Sequence, residues 1–159
     1  MTVSLTILSG VVTFVIGQFM LKLFIDPVQE FKKTIADVAL ALIEYSNVYA
    51  NSGVIGIEVE KKASEELRKL SSRLNAQTYL IPSYNIAAKF FRLPSRDQVT
   101  NAASNLIGLS NGVFKSPTDL VMINLGRAEK IRIALGIYTP ESERINLPKP
   151  QPNNPSAAD

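Results

Sequence analysis

The pattern of apolar and polar positions begins with a long apolar run. From Val3 to Ile25 the sequence reads VSLTILSGVVTFVIGQFMLKLFI, and its first charged residue is Lys22. The uncharged part is close to the ~20 residues that a helix needs to cross a hydrocarbon core of roughly 30 Å. Lys22 lies near one end, from which a lysine side chain can reach the headgroups. The pattern therefore predicts a transmembrane helix over residues 3–25.

Two other interpretations of this run stay open. A buried helix of a soluble protein is one, although such helices seldom extend this far without a charge. A cleaved signal peptide is the other, but it has a basic segment ahead of a shorter apolar core and small residues at its cleavage site. No basic side chain precedes this run, and residues 17–19 (Gly-Gln-Phe) make a poor cleavage site. The membrane interpretation is the one we expect to hold.

The basic residues near the run predict its orientation. Lys22, Lys32 and Lys33 all lie on its C-terminal side. The positive-inside rule counts lysine and arginine close to the membrane ends and places the richer side in the cytoplasm. We therefore expect a single-pass protein of the bacterial inner membrane whose C-terminal domain is cytoplasmic.

A heptad pattern follows the run. Asp26-Pro27 is compatible with a new helix, with Asp as N-cap and Pro at its first position, or with a membrane helix that continues through a kink. Apolar and aromatic residues then recur three and four positions apart: Val28, Phe31, Ile35, Val38, Leu42, Tyr45 and Tyr49. This spacing predicts one face of a helical bundle or, as an alternative, a coiled coil between copies of the chain.

The same spacing extends backward onto two glycines of the predicted membrane helix. Gly10 and Gly17 lie seven residues apart, with Thr13 between them and Gln18 beside Gly17. Small residues let membrane helices approach closely, and a glutamine can hydrogen-bond across such a contact. Gly10, Thr13, Gly17 and Gln18 are thus the candidate membrane-helix packing face, and they favour a homo-oligomer.

Capping and stop signals predict the remaining helices. One helix should run from about Ile57 to Leu80, before Pro82, and a short aromatic segment follows over residues 83–93. Ser95 and Gln98 form a capping box for a helix ending at residues 111–112, and Ser116-Pro117 starts the last helix, which ends at Gly136. The expected apolar stripes are Val59, Ala63, Leu67, Leu70, Leu74 and Ile81; Val99, Ala102, Leu106, Leu109 and Val113; and Leu120, Ile123, Ile131 and Leu135.

These elements predict an all-α fold. One N-terminal transmembrane helix (residues 3–25) is followed by a helical cytoplasmic domain (residues 26–138), which we expect to be a four- to five-helix bundle. The final segment, residues 139–159, is rich in proline and poor in apolar residues. Such a segment cannot bury enough surface to offset the entropy of ordering, so it is predicted to be a disordered tail.

The amino-acid composition excludes several classes of catalytic and metal-binding chemistry. The 159 residues contain no Cys and no His, which excludes thiolate chemistry, His-based catalysis and the commonest metal ligands. The net charge of +3 is small for a dedicated nucleic-acid binder. We therefore expect no enzyme activity, no bound metal and no cofactor, and we do not expect nucleic acid as a partner.

Two groups of residues remain as candidate contacts. Lys115, Arg127, Lys130 and Arg132 could meet an anionic ligand such as a phospholipid headgroup, although a helix C-terminus favours cations in any case. The aromatic residues Tyr79, Tyr84, Phe90 and Phe91, flanked by Lys89 and Arg92, are expected in the core; stacking on bases or entry into the membrane interface are the alternatives.

The order of these elements resembles that of bacterial single-pass inner-membrane proteins with a small helical cytoplasmic domain. It is also similar to the HEPN-like membrane accessory proteins of RNA-targeting CRISPR systems, in which an anchored, degenerate domain assembles into a ring. HEPN ribonucleases carry an Arg followed at short spacing by a His. Here the nearest match runs from Arg96 to Asn101, with Asn in the place of His. The resemblance thus implies an anchored helical domain without that nuclease site.

Together these patterns predict a non-catalytic, membrane-anchored helical module. It would associate with itself or recruit a cytoplasmic protein to the inner membrane. The alternatives are an oligomeric effector that forms a pore and a His-less HEPN-like domain that interacts with nucleic acid.

Overall fold

The computed structural model describes residues 2–114 and 118–140, and these ranges are helical without any strand. The elements are α1 (Thr2–Met20), a π-helical turn (Leu21–Ile25), α2 (Asp26–Glu44), α3 (Ser46–Ala50), α4 (Ile57–Leu80), α5 (Tyr84–Phe91), α6 (Arg96–Gly112) and α7 (Thr118–Leu135). The all-α class is therefore confirmed. The predicted cap at Ser116-Pro117 and nearly all of the predicted tail lie outside the described residues.

The bundle has more helical elements than the four to five predicted. Six follow α1 in the described part of the chain, and the two shortest account for the difference. The first long helix breaks at Tyr45 (φ −96°, ψ 13°), which separates α3 from α2. The aromatic segment forms α5, which is bounded by Ser83 and Arg92 at φ 46° and 54°. These left-handed residues let the chain turn sharply on both sides of a short helix.

Local signals predicted the ends of α4 and α6 correctly. The α4 helix runs from Ile57 to Leu80, and α6 ends at Gly112. The capping box is complete: the Gln98 amide donates to Ser95 Oγ at 3.2 Å, and the Ser95 amide donates to Gln98 Oε1 at 2.7 Å. This pair satisfies two backbone donors that the first turn of a helix leaves without partners.

The core lies between α2, α4, α6 and α7. The α4 helix runs antiparallel to α2, because Arg73 meets Asp37 (Nη1–Oδ2 3.2 Å) while Gln77, further along α4, donates to the carbonyl of Glu30. The α6 helix packs against both α4 and α7. The heptad face of α2 and α3 is buried here, with Ile35 partly buried. That face therefore belongs to the bundle of a single chain and is not free to form a coiled coil.

Two positions of the predicted stripes are wrong. Val59 of α4 and Ile123 of α7 are exposed, whereas their neighbours Glu60 and Asn124 are buried. A helical face accepts steps of three as well as four residues, so each stripe could be extended onto either neighbour. The apolar residue was the natural choice, and in both places the fold buries the polar one.

Candidate membrane anchor and its junction with the bundle

The α1 helix presents apolar side chains to its surroundings on all sides. One helix of the described chain is long and apolar enough to cross a membrane, and none of its most apolar stretch is buried. Burying a Val, Leu, Ile or Phe side chain is worth about 1.5–3 kcal/mol. The exposed apolar side chains of α1 are Val3, Ile7, Leu8, Val11, Val12, Phe14, Val15, Ile16, Phe19 and Met20. A core helix of a soluble protein would be mostly covered, and this helix is not; a signal sequence near the N-terminus would meet the same criteria of length and composition.

The α1 helix continues into the bundle through the π-helical turn. The Asp26 amide donates to the carbonyl of Leu21, five residues back, and Ile25 has α-helical backbone angles. Asp26 is therefore not an N-cap, and of the two predicted possibilities the helix continues. Pro27 cannot donate to the carbonyl four residues before it, and its ring would crowd that carbonyl. A single π turn is a common way to absorb such a defect without breaking the helix.

The predicted packing face of α1 is uncovered. Gly10, Thr13, Gly17 and Gln18 are all exposed, and a Cβ added at either glycine would have no neighbouring atom within 4 Å. A second helix could approach closely here. Their role in assembly remains a prediction.

Lys22, Lys32 and Lys33, the predicted juxtamembrane lysines, lie at and beyond the C-terminal end of the apolar helix. Lys22 pairs with Asp26 one turn further on, at 3.4 Å, with both side chains exposed. Lys32 and Lys33 are exposed on α2. All three lie within the distance over which lysine and arginine influence topology.

The basic residues of α7 are used in different ways. Arg127 turns inward, where its Nη1 donates to the carbonyl of Gly108 at 2.9 Å. Arg132 is mostly buried and lies 3.7 Å from Glu129. Lys130 is exposed, and Lys115 lies outside the described residues. Arg127 thus links α7 to α6, and Arg132 pairs within α7. An anionic contact remains a prediction that Lys130 fits best.

The aromatic segment divides between the core and the surface. Tyr84 is buried with its ring edge-on to Phe31, and its hydroxyl donates to the carbonyl of Pro94 at 2.8 Å. Burial raises the pKa of Tyr84 to about 12, against a smaller lowering by Arg96. Tyr79 and Phe90, by contrast, are exposed. The expectation of core packing is correct for Tyr84 and wrong for Tyr79 and Phe90.

A groove that the sequence did not predict lies between the C-terminal end of the apolar helix and α5. It has a volume of about 500 Å³ and is almost entirely apolar. Met20, Phe24 and Ile25 line one side, and Ile86, Ala87 and Phe90 line the other. The two sides are some 60 residues apart in the chain, so only the antiparallel return of α4 brings them together. The one hint in the sequence was the apolar, aromatic character of residues 84–91.

Arg96 and Asn101, which mark the nearest match to the HEPN motif, both contact other side chains of the bundle. Arg96 lies over the rings of Tyr79 and Tyr84, at 5.4 and 5.3 Å from their centres. Asn101 accepts a hydrogen bond from Asn105 at 2.8 Å. Within residues 2–114 and 118–140, no group of three or more acidic, Cys or His side chains could hold a metal.

Comparison with protein families, with curated proteins and with solved structures finds no match to this chain. What the protein does must therefore be inferred from its own residues.

Proposed function

We propose that this protein is a non-catalytic, membrane-anchored helical module that assembles with itself or brings a cytoplasmic protein to the membrane. The observation that carries the proposal is the apolar, uncovered α1, which is joined to α2 without a loop. The bundle uses its own heptad face internally. The uncovered apolar surface of α1 is therefore the one most in need of a partner.

The proposed location is the bacterial inner membrane, crossed once, with the bundle in the cytoplasm. Lys22, Lys32 and Lys33 support this orientation because they lie at the bundle side of the apolar helix. The continuous helix also holds the bundle close to the bilayer surface, where it would meet partners that move along the membrane.

Self-assembly through α1 is the form of the proposal that can be tested most directly. Gly10 and Gly17 leave room for the backbone of a second helix, and Gln18 offers a hydrogen bond across the contact. A pore formed by the same oligomer is the second candidate, because Thr13 and Gln18 put polar groups on this face. Nucleic-acid binding has less support, since Arg96 is stacked on two tyrosines.

The test measures membrane retention and mass in the full-length protein. We expect the protein to stay in the membrane pellet through alkaline carbonate washing. In detergent, light scattering should give a multiple of the 17.4 kDa chain mass. Gly10→Leu with Gly17→Leu should shift the mass to the monomer. Val12→Leu with Val15→Leu, on the opposite side of the helix by its 3.6-residue period, should not.

Each part of the proposal can fail separately. Release by carbonate would refute the anchor. A monomeric full-length protein would refute self-assembly and leave recruitment of another protein. Release of a dye from liposomes by the full-length protein, lost in the double-glycine variant, would favour the pore.

A further inference from the structure

We propose that α5 and the end of α4 form a second contact with the bilayer and that the groove beside Phe24 holds a lipid acyl chain. This inference rests on the proposed function, because it assumes that α1 lies in a membrane. It adds a lipid-binding site on the bundle itself, and with it a fixed orientation of the bundle on the membrane.

The path of the chain brings α5 to the membrane level. The α2 helix leaves the anchor, and α4 returns antiparallel to it, with Gln77 beside Glu30. The α4 helix then ends at Leu80, and α5 follows after three residues. The turn between them therefore faces the bilayer end of the bundle.

Contacts between α5 and the end of the apolar helix indicate how deep α5 lies relative to the membrane. Met20 and Phe24, which fall within the predicted membrane span, line the groove together with Ile86 and Phe90 of α5. Side chains of α5 consequently lie at the same level as the last turns of the transmembrane helix. The groove is continuous with the apolar surface of the anchor, so hydrocarbon that surrounds α1 has direct access to it.

The outer face of α5 has the composition of an interfacial helix. Phe90 is 80% and Ile86 72% exposed, and Leu80 and Tyr79 extend the apolar patch onto the end of α4. An exposed patch of this kind on a short helix indicates a binding surface. Lys89 and Arg92 lie beside it, and both are exposed. Apolar residues that enter the acyl boundary with basic residues at headgroup level are typical of helices that lie on membranes.

Lipid fits this surface better than a protein does. A protein partner would need to reach a groove whose other wall is the transmembrane helix itself. The basic residues beside the groove, with Lys22 at the same level, match the negative charge of anionic headgroups. The occupant that these observations favour is a phospholipid of the inner leaflet.

Fluorescence quenching can test the contact in the full-length protein, because the chain has no Trp. Three single-tryptophan variants are compared: Phe90→Trp in the patch, Phe14→Trp in the middle of the anchor and Ile43→Trp near the far end of α2. All three native side chains are exposed, so each change is tolerated by the fold. Ile43 lies roughly 27 Å along the helix from Ile25, at 1.5 Å per residue. Each variant is placed in vesicles of phosphatidylcholine and phosphatidylglycerol with or without bromine on the acyl chains.

We expect brominated lipid to quench the Phe14→Trp and Phe90→Trp variants strongly and the Ile43→Trp variant not at all. Quenching of Phe14→Trp without quenching of Phe90→Trp would overturn the second contact and leave the anchor intact. If Phe14→Trp is not quenched either, the anchor and this inference both fail. Equal quenching of Phe90→Trp and Ile43→Trp would also overturn the inference, since it would mean that the bundle has no fixed orientation.

Discussion

At the scale of single residues, Asn124 organises the end of the bundle where α3, α6 and α7 meet. It is completely buried on α7, and its side-chain amide lies within hydrogen-bonding distance of Ser52 Oγ (2.9 Å) and of the carbonyls of Tyr49 and Gly112 (3.3 Å each). Arg127 lies 3.4 Å from its oxygen. Because a buried polar group without partners is costly, this one residue fixes how α3, α6 and α7 meet.

Gly112→Ala should destabilise the bundle. A Cβ at this position would collide with Asn124 Oδ1, and that side chain cannot move without losing its hydrogen bonds. Alanine is otherwise favoured over glycine in a helix by up to about 1 kcal/mol, but overpacking a filled site costs roughly 1–3 kcal/mol. We expect a net loss of about 1–2 kcal/mol in the free energy of unfolding, measured by urea denaturation in detergent.

Ser104→Ala is the control for that change. Ser104 is exposed on the same helix, so its replacement should alter stability by less than about 0.5 kcal/mol. A Gly112→Ala protein as stable as the wild type would show that Asn124 can adopt another position.

Tyr84 should make the bundle sensitive to alkali. Burial raises the pKa of its hydroxyl from 10.0 to about 12, so the folded protein disfavours the phenolate more than the unfolded chain does. The stabilisation is complete below pH 10 and is lost as the pH rises from 10 to 12. Tyr84→Phe should lower stability by about 1 kcal/mol at neutral pH, through loss of the bond to Pro94, but its Tm should fall less over that alkaline range.

The comparison requires a second tyrosine variant. Burial also raises the pKa of Tyr45 and Tyr49. Part of the loss of stability at alkaline pH should therefore persist in Tyr84→Phe. Tyr138→Phe, at an exposed position, should keep the full wild-type dependence. Parallel curves of Tm against pH for wild type and Tyr84→Phe would contradict the role given to Tyr84.

At the scale of elements, the sequence predicts what local chemistry decides. The capping box at Ser95 and the boundaries of α4 depend on residues close in the chain, and these predictions are correct. The break at Tyr45 and the burial of Glu60 depend on what packs against the helix, and no local signal marks them. The π-helical turn is an intermediate case: Pro27 signals a defect, but not whether the helix stops, kinks or continues.

Pro27→Ala should stabilise the junction between α1 and α2. Alanine restores an amide that can donate to the carbonyl of Leu23, and proline within a helix costs about 3 kcal/mol relative to alanine. We expect slower hydrogen exchange of the amides at residues 21–26, by about tenfold for each 1.4 kcal/mol gained. Gln29→Ala, at an exposed position further along α2, should leave those amides unchanged.

An unaltered exchange pattern in Pro27→Ala would assign the π turn to a different cause. The packing of Phe24 and Ile25 against α5 would then hold the turn in place, and the proline would be a consequence of that geometry.

At the scale of the whole molecule, an apolar helix and a helical bundle could be predicted because composition and periodicity separate them along the chain. The groove between them could not be predicted. Residues 20–25 and 82–91 become neighbours only through the antiparallel packing of α2 and α4, and the sequence contains no pattern that links the two segments. The sequence therefore predicted one half of the candidate site, the apolar helix, but not the surface of the bundle that faces it.

The π-helical turn also sets the angle about the helix axis between the faces of α1 and those of α2. A π turn adds one residue to the α-helical repeat, which offsets the faces on its two sides by about 100°, and the predicted backward extension of the heptad face across Leu21–Ile25 is shifted by this angle. Since no loop intervenes between α1 and α2, the continuous helix can pass a rotation of α1 about its axis on to the bundle. If neighbouring copies of α1 pack through their glycines, this packing sets the orientation of each bundle about the helix axis as well as its distance from the next bundle. The π-helical turn then determines which side of each bundle faces its neighbour.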